Sequence, residues 1–202
     1  VLVAEDGNII YSKGFGYADM ENKIPNKADT KFRLASVTKQ FTAALIMQLV
    51  EKGKISLDGK LTDYLPYFRR DVGDKITIHQ MLSHTSGLSN YTDNRKFMTD
   101  EVNNRVKPKD FVLKYCSEDL VFEPGTKWAY SNSGYFMLGL VIEEVTGKTY
   151  EEVLHENIFK PLGMTNSGFE HSDKTYENKA SGYVNLFGQF KPARFLEMTI
   201  PY

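Results

Sequence analysis

The sequence is short of cysteine, of net charge and of long apolar stretches, and each shortage removes a class of protein. Cys116 is the single cysteine, so no internal disulfide can form. It follows Phe111, Leu113 and Tyr115, a setting that suits a buried, inert thiol. A formal charge of −1, from 25 basic and 26 acidic residues scattered along the chain, gives no electrostatic ground for nucleic acid or an anionic membrane surface as a partner. No segment approaches the roughly 20 apolar residues of a membrane-spanning helix. The histidines, His79, His84, His155 and His171, lack carboxylate or cysteine partners at metal-ligand spacing, so neither a metal nor a cofactor is expected. The 12 tyrosines and 13 phenylalanines come without a basic stripe. They read as core and cleft lining, not as a platform for stacked bases.

What is present is enough apolar material for one substantial domain or two small ones, 41% of 202 residues. Leu2 to Ala4 and Ile9 to Tyr17 are rich in β-formers and flank Asp6-Gly7, a hairpin signal. Phe32 to Leu34 reads as a further short strand. A helix is expected from about Ser36 to Lys52, stopped by Gly53. Its apolar positions cover nearly the whole circumference, which predicts a central helix. Residues 54–178 carry short helical patterns joined by turns. Thr77 precedes Ile78 to Leu82 as a cap or first-turn residue, and Pro108 opens a helix through about Cys116. Ser131 or Asn132 caps a helix ending at Gly147, and Thr149 with Glu152 forms a capping box. Asp93 to Arg105 is polar and reads as a long loop. From Ala180 the pattern becomes extended again, around a turn at Gly188-Gln189. The order of strands, helix, helical insert and strands predicts a discontinuous α/β domain with an all-α insertion. The expected division is residues 1–55 with the first helix, a mostly helical part over 56–178, and a return to the first part over 179–202.

Two clusters carry chemistry. Ser36 and Lys39 lie three apart at the start of the first helix, and so share a face. A capping serine and a surface lysine would explain them on an amphipathic helix. This helix shows little polar face, and a buried ammonium needs hydroxyl or amide partners. The helix N-terminus can also stabilise an oxyanion forming over Ser36. The second cluster is Tyr130-Ser131-Asn132. A lysine ammonium near Tyr130 favours its phenolate, which makes it a candidate general base. The carboxamide of Asn132 offers a donor and an acceptor, suited to a substrate amide and to the lysine. Plain core packing of Tyr130 and helix capping by Ser131-Asn132 are compatible with that role.

With these residues in place the chain resembles the serine β-lactamase and penicillin-binding protein superfamily, in its class C-like branch. The resemblance rests on Ser36-Val37-Thr38-Lys39, Tyr130-Ser131-Asn132, Met81-Leu82-Ser83-His84-Thr85-Ser86-Gly87-Leu88, Phe122-Glu123-Pro124-Gly125-Thr126, Gly134-Tyr135 through Leu138-Gly139, and Pro161-Leu162-Gly163-Met164. It spans essentially the whole chain in the family's order. It implies a β-lactamase/transpeptidase-like α+β fold, an antiparallel sheet flanked by helices. It also implies an acyl-enzyme mechanism with Ser36 as nucleophile, Lys39 assisting its deprotonation, Tyr130 as base or proton relay and Asn132 as a substrate-binding residue. Tyr-Ser-Asn, where the class A pattern has Ser-Asp-Asn, favours the class C-like branch.

One departure stands out. The family's third motif, Lys-Thr-Gly or His-x-Gly on a strand, has no counterpart. Lys148-Thr149-Tyr150 lacks the glycine, and His84-Thr85-Ser86-Gly87 is one residue too long and precedes the second motif; the turn that His84 begins is expected instead to shape a loop near the site. The chain opens on Val1 and closes on Met198 to Tyr202 without a helix stop, and reads as an excerpt whose last sheet strands are missing. It is expected to be catalytically impaired alone, since one lost oxyanion donor costs about 10² to 10³ in rate. An unpaired sheet edge invites self-association or a complementing C-terminal fragment. The expected substrate is a small molecule or peptide: a β-lactam, a D-Ala-D-Ala-type peptide or a small ester. A binding protein of the same fold, acylated slowly or not at all, is the alternative. The resemblance suggests an extracytoplasmic bacterial parent.

Overall fold

The computed structural model describes residues 1–95, 97, 106–171 and 173–193. They fall into two compact units. One holds residues 1–34 and those described after 172; the other holds residues 35–171.

The first unit consists of three two-stranded antiparallel sheets. Strands β1 (Leu2–Glu5) and β2 (Asn8–Ser12) form a hairpin across Asp6-Gly7, both residues at positive φ (49° and 78°). A turn needing two left-handed residues explains that dipeptide. Strands β3 (Tyr17–Asp19) and β4 (Ile24–Pro25) pair next. The strand expected over Phe32 to Leu34 does not form; Lys31 alone makes a bridge, to Lys179. The described end of the unit is the hairpin of β5 (Tyr183–Leu186) and β6 (Gln189–Pro192). It turns at Phe187-Gly188, again two positive-φ residues. The Tyr183 hydroxyl accepts from the Met20 N–H at 2.9 Å, tying this hairpin to the loop after β3.

The second unit is helical. A 3₁₀ turn over Ala35–Thr38 leads into α1 (Lys39–Glu51). The helices α2 (Leu61–Tyr64), α3 (Arg70–Gly73) and α4 (Ile78–Leu82) follow. Next come α5 (Pro108–Phe111), running on as a π-turn over Val112–Cys116, and α6 (Asn132–Thr146). Helix α7 (Tyr150–Leu154) continues as a π-turn over His155–Phe159. The caps follow the chemistry of the sequence. The Thr77 hydroxyl accepts from the Gln80 N–H, Thr149 from Glu152 and Ser131 from Gly134. Gly147 closes α6 at φ +68°, a conformation that suits glycine.

Helix α6 is the centre of this unit, with every residue from Ser133 to Ile142 buried. Around it Tyr91, Phe97, Phe111, Tyr115 and Phe136 make a cluster of rings with centroids 4.9–5.4 Å apart. Such edge-to-face pairs add to plain area burial. Helix α1 is less central than its composition predicts. Thr42, Leu45, Ile46 and Leu49 are buried, while Gln40, Ala44, Met47 and Glu51 are exposed along the opposite face. One side alone meets the core, so the apolar pattern overstated its burial. The contacts also group α1 with residues 35–171, whereas the expected division placed it with the N-terminal strands. Of the expected loop over Asp93 to Arg105, residues 96 and 98–105 lie outside the described residues.

A short backbone zipper sets up the site. Residues 84–87 run beside 121–129 through three bonds: Val121 N–H to the Gly87 carbonyl, Gly125 to Thr85, and Ala129 to His84, at 2.8–2.9 Å. Gly87 permits the approach. It sits at φ +75°, and a Cβ there would lie 2.2 Å from the Phe122 carbonyl oxygen.

Candidate active site

Ser36 sits in the 3₁₀ turn that opens α1, just after Ala35, which holds a left-handed φ of 47°. That conformation is uncommon for a residue with a side chain and redirects the chain immediately before the serine. Lys39 begins the regular helix one turn later. Tyr130 ends the segment zipped to residues 84–87, Ser131 caps α6, and Asn132 is the first residue of that helix.

All four sequence-predicted residues meet. The Ser36 hydroxyl and the Tyr130 phenol share a 2.6 Å hydrogen bond. The Lys39 ammonium donates to Ser36 Oγ at 3.3 Å and to Asn132 Oδ1 at 2.8 Å. It also lies 5.0 Å from the centre of the Tyr130 ring and 5.5 Å from that of Tyr135. The predicted need of Lys39 for hydroxyl and amide partners is met by these contacts.

The two tyrosines beside the ammonium differ in their electrostatics. Burial pushes the Tyr130 phenol up. The hydrogen bonds from Lys39 and Ser36 and the charge of Lys39 outweigh that push, so its pKa falls below the ordinary tyrosine value. Tyr135 moves the other way, through burial and then the proximity of Tyr130. Its hydroxyl is engaged with the Leu82 carbonyl at 3.0 Å. Of the two phenols, Tyr130 is the one that meets the Ser36 hydroxyl and whose ionised form is favoured.

Sequence reasoning missed the residues that hold Asn132. Asn90 Oδ1 accepts from both the Asn132 backbone N–H (3.0 Å) and the Asn132 side-chain amide (3.2 Å). The same amide donates to Thr92 Oγ1 at 3.3 Å. Asn90 in turn donates to Thr92 Oγ1 at 2.7 Å and to Asp93 at 3.2 Å. The Asn132 side-chain amide thus lies against two acceptors within the protein. Its oxygen faces the lysine, so in this structure Asn132 orients Lys39. The only signal in the sequence was the polar run Ser89-Asn90-Tyr91-Thr92, with nothing in it to indicate a partner 42 residues on.

His84, expected to shape a loop near the site, lies directly against it. Its ring lies against Tyr130, Tyr135 and Trp128, with centroids 4.6, 5.0 and 6.0 Å away. Among the described residues no group of three His, Cys, Asp or Glu side chains could hold a metal ion. No described helix is long and apolar enough to cross a membrane.

The mixed α/β fold that brings these side chains together is that of serine hydrolase-type proteins. The chain belongs to the Beta-lactamase family, which it matches over residues 1–194. It is 37% identical to PbpX of Bacillus subtilis over 185 residues, 90% of this chain and 44% of that protein. Among solved structures it is similar to a penicillin-binding protein from Bacillus halodurans, with TM-score 0.82 and 34% identity over 95% of this chain and 58% of that one. It is also similar to a class C β-lactamase solved with cefoxitin, with TM-score 0.81 and 26% identity over 99% of this chain and 53% of that one. The chain thus spans less than half the length of the curated relative and somewhat over half of the two solved ones.

Proposed function

We propose that Ser36 is an acylated nucleophile and that the protein cleaves an amide or ester through an acyl-enzyme. The observation that carries this reading is the 2.6 Å contact between Ser36 Oγ and Tyr130 Oη beside the Lys39 ammonium. Tyr130, as phenolate, takes the Ser36 proton while Oγ bonds to the substrate carbonyl carbon. The tetrahedral adduct then collapses, breaking the bond to the leaving amine or alcohol, which receives the proton back from Tyr130. Water cleaves the Ser36 ester in a second step by the reverse sequence. Lys39 holds the phenolate form in place and, anchored by Asn132, stays within reach of Oγ. The substrate is a β-lactam, a D-Ala-D-Ala-type peptide or a small ester, in keeping with the family. An extracytoplasmic location and a partner for the exposed N-terminal hairpin, a second copy or a complementing fragment, belong to the same proposal.

The test is intact-mass spectrometry of the chain after incubation with benzylpenicillin and, separately, with p-nitrophenyl acetate. One acyl group on Ser36 is expected with at least one reagent, and none in Ser36→Ala. The proposal fails if neither reagent labels the chain, or if Ser36→Ala is labelled equally. A penicillin adduct that never turns over would favour the binding-protein reading of the same fold.

A further inference from the structure

His84 is built into the site on three sides. Its backbone carbonyl accepts from the Ala129 N–H at 2.9 Å. Its ring packs on Tyr130 and Tyr135. Its Nδ1 accepts from the Ser131 N–H at 3.2 Å. That last bond determines the ring's chemistry. A nitrogen that accepts from an amide cannot carry a proton, so in neutral His84 the proton is on Nε2. Protonation would put an N–H at Nδ1, facing the Ser131 N–H, and the bond would be lost. Ser131 lies between Tyr130 and Asn132, the residues that reach Ser36 and Lys39.

We propose that neutral His84 is the positioning residue of this site, holding the Tyr130–Asn132 segment through Nδ1, and that its protonation releases the segment. The inference rests on the proposed acyl transfer for its rate consequence, though not for its geometry. The titratable groups facing the imidazole are Lys39 from α1, Tyr135 from α6 and Tyr130 from the segment itself. Burial, and then the Lys39 charge, holds the imidazole below its ordinary pKa of 6.5. The neutral form therefore persists at neutral pH, and release belongs to acid conditions.

The backbone supplies a clean test. His84 sits at φ +58°, a conformation that asparagine tolerates better than other residues with side chains. Asparagine also places a carbonyl oxygen near the position of Nδ1 and does not titrate. Phenylalanine keeps the ring contacts and loses the acceptor. The full chain is compared as wild type, His84→Asn and His84→Phe, each first shown to be folded by near-UV circular dichroism. Heteronuclear NMR of the wild type should show the Nε2–H tautomer. The Ser131 amide should shift with a midpoint below pH 6.5 in the wild type and not in His84→Asn.

In the labelling assay, His84→Phe should acylate about tenfold or more slowly, the scale of one lost hydrogen bond in the reacting geometry. His84→Asn should recover most of that loss and lack the additional fall in rate that His84 protonation gives the wild type at acid pH. An Nδ1–H tautomer, a Ser131 amide indifferent to His84 titration, or a fully active His84→Phe overturns the proposal. A wild type that shows the predicted tautomer and titration but takes no label defeats the acyl-transfer reading and the rate consequence, and leaves the positioning geometry standing.

Discussion

Ser36 and Tyr130 are 94 residues apart in the chain, and their hydroxyl oxygens are 2.6 Å apart in the fold. The contact joins the first turn of one helix to the residue before the cap of another. Replacing Tyr130 by Phe keeps the ring and removes the proton acceptor. Acylation of Ser36 should fall about 10² to 10⁴-fold, the range for a positioned general base, with the thermal midpoint little changed. Stopped-flow or quenched mass spectrometry with a reactive ester checks the rate.

The same phenol sets the alkaline behaviour. Its pKa is lowered from 10, so the phenolate fraction rises with pH and saturates earlier than for an ordinary tyrosine. Acylation should therefore climb through an inflection below pH 10, and the inflection should vanish in Tyr130→Phe. An identical profile in both proteins would remove Tyr130 from the proton path.

Asn90 supports the site from behind. In Asn90→Ala the Asn132 backbone N–H and side-chain amide both lose an acceptor. Leaving a partly buried donor unmatched costs about 1 to 3 kcal/mol, to be read from urea denaturation. Asn132 should also lose its fixed orientation, so Lys39 is held less well and labelling slows. Normal stability with normal labelling would show that Asn90 is incidental.

The aromatic cluster supplies the rigidity beneath this network. Phe111 is fully buried against Tyr91, Phe97, Tyr115 and Phe136. Tyr91 lies between Asn90 and Thr92, and its N–H donates to Ser133 Oγ at 3.0 Å. Phe111→Ala should destabilise the fold by about 3 to 5 kcal/mol. The labelling rate of the fraction still folded should fall as well, since Tyr91 loses one of its supports.

Cys116 provides a control on burial. Its thiol is pushed up to about 12, chiefly by burial, so almost no thiolate exists at neutral pH. Iodoacetamide should leave the native chain unmodified at pH 8 and alkylate it after addition of guanidinium. Rapid native alkylation would mean that the core around α6 opens readily.

Much of this was legible in the sequence wherever a local rule decides the outcome. The caps at Thr77, Ser131 and Thr149, the proline opening α5 and the Asp6-Gly7 turn each depend on a few neighbouring residues. Ser36 and Lys39 were legible for the same reason, being one helical turn apart. Asn90 was not, because its role is fixed by a partner 42 residues away, and for His84 the sequence indicated a loop near the site but not its bond to Ser131, 47 residues on. The face of α1 that stays exposed was misjudged because periodicity reports which residues could be buried, not which neighbours exist to bury them. Phe32 to Leu34 had strand composition but found no partner strand among the described residues.

Ser131 caps the longest helix among the described residues with the hydroxyl of a residue whose two neighbours in sequence are Tyr130 and Asn132. Fraying of that one turn would therefore shift two of the four clustered side chains at once.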